Sequence, residues 1–447
     1  MRVPGSIAGR SPLWLAALGM LCATTGIVAG VQPKLGLEFA FGIGFSAAVL
    51  GNVVVGVCLF TVLSFLEVIN AGGAVLSITK VAGLLLFVSW MAASSTRKNE
   101  ESQSLISEQP VLVAAVVALV SWSLISVVWA QSASATVTAT ERYLLNILLL
   151  PIVFGAIRQR SHFVWVVSAF VLGADVSVIF GFLQSGGGRL SGALGDPNEL
   201  AAVLVTSLML SVALLAAAPS ASGRRFWAAV AIAVALVGLL YTDSRGGLIA
   251  LGVALLAGTL FGGRWRFGMI VLLVVGAASL GVYKYVLAPL AAQHLSSTSS
   301  TGRTDLWKVG LRMFEANPIT GVGSGNFQIA SVRYVQDVGP LTRADLIVDV
   351  PHATHDMYLD VIDELGIPGL LALLVTAGAS IGAALKAAKR YEAAGDVHFE
   401  LMSRALALGI LGLLAADVFL SGETSKQLWL LLALPPPLLA LAPRTIA

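Results

Sequence analysis

Charge is what this sequence has least of. Of its 447 residues 24 are acidic and 27 basic, so charged side chains make up 11% of the chain, under half of the roughly one quarter usual in soluble domains. With 57% hydrophobic residues and a mean hydropathy of +0.89, a water-soluble fold is excluded, because no interior of this size hides so much apolar surface. The bilayer has to be the solvent. Cysteine is nearly absent: Cys22 and Cys58 both lie in apolar runs, which excludes a disulfide framework and leaves them as small packing residues. A net charge of only +3, carried by scattered basic pairs, excludes a nucleic-acid surface. Arg2 and Arg10 precede Leu13-Trp14-Leu15 as they would in a signal peptide. Apolar segments recur to the C-terminus, however, so the first run reads as a transmembrane helix.

Apolar runs of spanning length fall near 13–31, 39–66, 74–94, 111–130, 141–157, 162–182, 198–218, 226–242, 246–261, 267–287, 366–386, 401–420 and 426–442. The 39–66 run is too long for one upright helix, and Gly51-Asn52 is the place for it to split. The expectation is an all-α polytopic membrane protein of about 12–14 transmembrane helices with one structured external loop. Basic clusters at Arg97-Lys98, Arg158 with Arg160, Arg224-Arg225, Arg264 with Arg266, and Lys386 with Lys389-Arg390 follow every second helix, which marks those loops as cytoplasmic. Loops 131–140, 183–197, 243–245, 288–355 and 421–425 then face the other side. An even number of helices before Arg97 keeps Arg2 and Arg10 inside. The chain divides into an N-terminal bundle (1–287), an external cap (288–355) and C-terminal helices (356–447). Within the cap, Arg303–Ala316 has helical spacing, stopped by Asn317-Pro318. No internal repeat is visible.

Sorted by side, Arg189, Arg245 and Arg303 share the non-cytoplasmic face with His352 and His355. For a single arginine there, the plain reading as a snorkelling anchor or salt-bridge partner stands level with a functional one. Three together suit a pyrophosphate or phosphosugar, because guanidinium offers a fixed fork of donors and stays charged. His355 opens a stretch in which Leu359, Ile362 and Leu365 keep helical spacing and Asp356, Asp360 and Asp363 form another stripe. His355 is therefore expected at a helix start, where imidazole suits a general base and an N-capping or surface histidine is the plainer reading. His352-Ala-Thr-His355-Asp356 matches no zinc spacing. Gly321-Val-Gly323-Ser-Gly325 follows no strand, so a dinucleotide loop is rejected and turn formation accounts for the glycines. At Gly195-Asp196-Pro197-Asn198 a turn starts a helix, capped by either Asp196 or Asn198. Asp175 and Asp417 lie inside apolar runs as structural or pathway charges.

Four blocks in order carry a resemblance: Arg189-Leu-Ser-Gly-Ala-Leu-Gly-Asp-Pro-Asn-Glu-Leu-Ala201, Ser244-Arg245-Gly-Gly247, Gly302-Arg303 with Trp307, and Asn317-Pro-Ile-Thr-Gly-Val-Gly-Ser-Gly325 leading into the histidine block. Over roughly residues 140–425 the chain resembles the O-antigen ligase/polymerase family of membrane glycosyltransferases. That family's last motif is His, then Asn, Ser or Gln, nine residues, Gly, two residues, and Gly, Thr or Tyr. Here it reads His355-Asp356, nine residues, Gly366-Ile-Pro-Gly369, with only Asp356 departing. The resemblance implies a polyprenyl-diphosphate-linked glycan donor, a lipid or glycan acceptor hydroxyl, an inner-membrane setting and a site on the periplasmic face. It implies His355 as the base, Arg245 and Arg303 as holders of the donor diphosphate, and Arg189 assisting. On physical grounds, direct displacement at the anomeric carbon inverts its configuration, and fixed cations replace a divalent metal, so no metal or cofactor is expected. Asp356 is read as an orienting partner or helix cap. Ligase, polymerase and protein O-glycosylating enzyme share these blocks. A polysaccharide transporter or flippase subunit is the rival reading, and it calls for inverted repeats or broken helices at mid-bilayer.

Overall fold

The computed structural model describes residues 33–66, 78–96, 104–184, 188–282 and 302–443. The run expected at 13–31 lies outside them, as do residues 288–301 of the cap. The described residues form an all-α membrane bundle. Seven helices are long and apolar enough to cross a bilayer, or eight when Arg245–Phe261 and Gly263–Gly276, bent by 116°, count as one span; shorter apolar helices lie at Gly42–Gly51, Val53–Leu63 and Thr79–Ser95.

The 39–66 run splits where expected. α1 (Pro33–Gly51) ends at a residue with no side chain, and α2 (Val53–Leu63) begins because the Asn52 side chain accepts the N–H groups of Val54 and Val55. After α3 (Ile78–Thr96) and α4 (Pro110–Ile125) comes a departure from expectation. The supposed loop 131–140 is largely helical: α5 (Ala133–Ile147) starts at Ser132, which caps the Ala135 N–H at 3.3 Å. The Thr136 and Thr138 hydroxyls bond back to the carbonyls of Ser132 and Ser134, so a polar stretch winds into the helix. α6 (Leu149–Ala156) continues the same span. The bundle proceeds through α7 (Arg160–Gln184), α8 (Pro197–Ala217), α9 (Gly223–Tyr241), α10 (Arg245–Phe261) and α11 (Arg266–Val282). The cap helix α12 (Arg303–Ala316) leads into α13 (Met357–Ala393) and α14 (Val397–Ala416). The last run is two short helices, α15 (Lys426–Ala433) and α16 (Pro435–Ala440), because Pro435, Pro436 and Pro437 interrupt helical hydrogen bonding.

At the centre, α8 and α14 each have 78% of their apolar window inside the protein. Small residues let them approach. A Cβ added at Gly409 would stand 2.8 Å from Thr206, whose hydroxyl donates to the Gly409 carbonyl at 2.8 Å.

The two ends of the bundle differ in chemistry. At one end the basic loops meet: Arg160 pairs with Asp396 at 2.7 Å, Arg264 with buried Glu400 at 3.0 Å, and Arg404 with Glu392 and Glu400. At the other, the segments 188–196 and 241–245 meet the cap residues around Arg303. The cap has an apolar core of its own, built from Leu306, Val309, Met313, Phe327, Ala330 and Ile347. Buried Asp305 ties α12 to the loop above it, accepting the N–H groups of Thr342 and Arg343 at 2.8 and 2.9 Å.

Candidate active site

Helix starts build this site. Asp196 caps α8, accepting from the N–H groups of Asn198 and Glu199 at 2.6 and 3.1 Å, with Pro197 at the first helical position. Of the two candidate caps, then, Asp196 caps, and Asn198 is left to face its neighbours. Its Oδ1 accepts from Arg189 Nη2 at 3.0 Å and from the Ser244 hydroxyl at 2.9 Å. Ser244 in turn caps α10, accepting the Gly247 N–H at 3.1 Å, so Arg245 is the first residue of that helix. Arg189 Nε donates to the Thr242 carbonyl at 2.9 Å, and the Leu190 N–H to that of Tyr241. One amide and one guanidinium thereby join the starts of α8 and α10 in fixed register.

Arg303 opens α12 behind Gly302, whose φ of +80° only glycine adopts without strain. It is half-buried, and burial destabilises its positive charge. The Asp196 carboxylate offsets part of that, while Arg189 and Arg245 stand close enough for their like charges to add to it. Three cations, one acid and helix N-termini therefore share one region, a setting that favours an incoming anion. All three arginines expected from sequence are brought together.

His355 belongs to the same cluster. Burial and the Arg303 charge lower its pKa below the ordinary histidine value, with Asp196 opposing and His352 adding a smaller push. That shift favours the neutral ring, whose lone pair can take a proton. Its backbone is unusual: φ is +54°, a left-handed conformation that costs a non-glycine residue and concentrates at functional positions. Asp356 follows as the cap of α13, accepting from Tyr358 and Leu359 at 3.0 and 3.2 Å. Burial raises the Asp356 pKa, against the pull of those two N–H groups. His352 is turned to other work, its ring against the Val350 carbonyl and its backbone N–H donating to Leu346 O at 3.0 Å.

The glycines at the far end of the histidine block have a mechanical explanation. At Gly366 the backbone of α13 breaks (φ 64°, ψ −167°). The break leaves carbonyls free for other donors. Val322 and Gly323 donate to Asp363 O and Glu364 O at 2.9 Å each, Trp122 Nε1 to Leu365 O at 2.7 Å, and Ile367 donates to Pro318 O at 2.9 Å. A Cβ at Gly366 would collide with the Ile319 carbonyl. The half-buried Glu364 side chain accepts the N–H groups of Gly325 and Phe327 at 2.6 and 3.1 Å. The Gly321–Gly325 loop, with φ of 64°, 99° and 70° at its glycines, is thus a backbone plug for the broken helix.

Sequence reasoning missed Glu364 in this role, and it missed Thr354 and Asp360 beside the histidine. The stripe of Asp360 and Asp363 faces inward, 4% and 0% exposed. Among the described residues no three His, Cys, Asp or Glu side chains stand together so as to hold a metal ion. Residues 230–374 match the family model described as O-antigen ligase. That interval contains Arg245, Arg303, His355 and the Gly366 break, and leaves Arg189 outside. No curated protein matches the chain.

Proposed function

From the premise that this multi-pass membrane chain carries an O-antigen ligase domain with a glycan-transferring role, we propose that it moves a glycan from a polyprenyl-diphosphate carrier to an acceptor hydroxyl. Neutral His355 takes the acceptor proton as that oxygen attacks the anomeric carbon. The bond from that carbon to the carrier diphosphate breaks, with inversion, and the diphosphate departs with the bonding pair. Arg245 and Arg303 stabilise the charge that develops on it, and Arg189 holds the floor of the same region. Fixed cations here do the work that a divalent ion does in many sugar transferases, so the reaction runs without metal or cofactor. The imidazolium then returns its proton to water.

The observation that carries this reading is the convergence of Arg189, Arg245, Arg303 and His355 at the end of the bundle opposite the basic loops. Under positive-inside logic that end is periplasmic and the protein sits in the inner membrane, with the cap of residues 288–355 as an external unit between two helical parts. A donor held in the outer leaflet would then meet the arginines at the water boundary. The test is transfer by purified protein from a polyprenyl-diphosphate glycan with Arg245→Lys and Arg303→Lys. Both should be strongly impaired, because a point charge lacks the bidentate fork; wild-type rates for both would remove the donor role. Whether a gene deletion leaves lipid-linked polymer or a single repeat unit on a polysaccharide gel decides between ligase and polymerase.

A further inference from the structure

His355 sits in a conformation that its own residue type resists, so its neighbours have to hold it there. The preceding residue, Thr354, is fully buried and every polar group it has is engaged. Its N–H and its hydroxyl both reach Asp360 Oδ1, at 3.1 and 2.8 Å. Its carbonyl accepts from the Trp307 indole at 3.0 Å, and its Oγ1 accepts the Asp356 N–H at 3.0 Å. Asp360 lies one turn into α13, 4% exposed, and its second oxygen, Oδ2, accepts from the Ser421 hydroxyl. Among the described residues it makes no ion pair, so the work its carboxylate does is hydrogen bonding.

We propose that Asp360, acting through Thr354, is a positioning residue for His355. The clamp joins three separate parts of the chain: α12, which carries Arg303 and Trp307; the start of α13; and the loop after α14, through Ser421. With Thr354 fixed on one side and the Asp356 cap on the other, the imidazole cannot relax out of its left-handed backbone setting. The distance from base to acceptor oxygen is thereby set by buried bonds rather than by substrate. This inference rests on the reading of His355 as the base.

The experiment uses the full-length protein in detergent and measures kcat, KM for the lipid-linked donor, and melting temperature. Thr354→Val keeps the shape and removes the hydroxyl; Thr354→Ser keeps the hydroxyl. Thr354→Val should lower kcat about a hundredfold, the scale of a misplacement near 1 Å, with KM and melting temperature close to wild type. Thr354→Ser should restore most of kcat. Asp360→Asn should remain active, because an amide oxygen accepts the same two bonds and its N–H group can serve Ser421, whereas Asp360→Ala should not. A wild-type kcat for Thr354→Val would overturn the proposal, as would equal losses in Thr354→Val and Thr354→Ser that track melting temperature. His355→Ala is run alongside to separate the two layers. If it transfers normally, the base reading falls and the clamp falls with it; if it is inactive while Thr354→Val and Asp360→Ala transfer normally, only the clamp falls.

Discussion

Replacing Gly366 by alanine perturbs the structure at one definable joint. Its φ of 64° with ψ of −167° lies in a region essentially restricted to glycine, which costs another residue about 1–3 kcal/mol. The added methyl also meets the backbone of Ile319 and Pro318, which has no side chain to swing away, and overpacking of this kind costs about 1–3 kcal/mol more. The total of about 2–6 kcal/mol is of the same size as what the four backbone and indole bonds at the joint supply, about 4 kcal/mol at about 1 kcal/mol each. The 318–325 segment should therefore undock while the helices stay folded. Hydrogen–deuterium exchange reads this directly, because the N–H groups of Val322, Gly323 and Ile367 are the ones that lose their partners. With about 1.4 kcal/mol per factor of ten, exchange in peptides covering 318–327 and 362–370 should accelerate about thirtyfold to twenty-thousandfold. Exchange elsewhere in α8 and α14 should not change. Unaltered exchange at the joint, with normal transfer, would refute the plug argument.

Three further expectations follow from named contacts. Burial and the Arg303 charge lower the His355 pKa, so transfer should fall only as pH drops through a value below the ordinary 6.5 or so; Asp196→Asn, which keeps the cap of α8 and removes the opposing carboxylate, should move that acidic limb to still lower pH in a kcat profile. Asp356→Asn should be tolerated because asparagine caps a helix as well as aspartate does, while Asp356→Ala should cost about 1 kcal/mol in thermal stability. Under impermeant thiol labelling of cells, Thr342→Cys should react from outside and Lys389→Cys only after permeabilisation; the reverse pattern would invert the site's assignment.

Much of this architecture is legible in residues that act locally. Asn52 is a strong cap beside a weak helix former, so the split of the first described run could be read directly. Sorting loops by basic residues brought Arg189, Arg245 and Arg303 to one face, and helical spacing put His355 just ahead of a helix. What stayed hidden depends on partners far along the chain. Gly366 looks like a flexible residue before Pro368 until Pro318 and Ile319 lie against it. Glu364 receives two N–H groups from residues almost forty positions away, at separations of 39 and 37. Asp360 reads as one charge in a stripe until Thr354 and Ser421 close around it. The helical start of α5 was hidden for a different reason: serine and threonine lower local hydropathy, yet their hydroxyls bond back to the turn before and let the helix run on. Between Asp196 and Asn198 local sequence offers two equal caps, and only the position of Ser244 and Arg189 decides.

The central claim is that a neutral His355 takes the acceptor proton beside a diphosphate held by arginines. Its most direct test is single-turnover transfer by purified His355→Ala, with donor binding measured on the same sample. Loss of a general base should slow the transfer step about a hundredfold to ten thousandfold, with donor affinity retained because Arg245 and Arg303 remain, and His352→Ala should cost far less. A wild-type single-turnover rate for His355→Ala would contradict the mechanism.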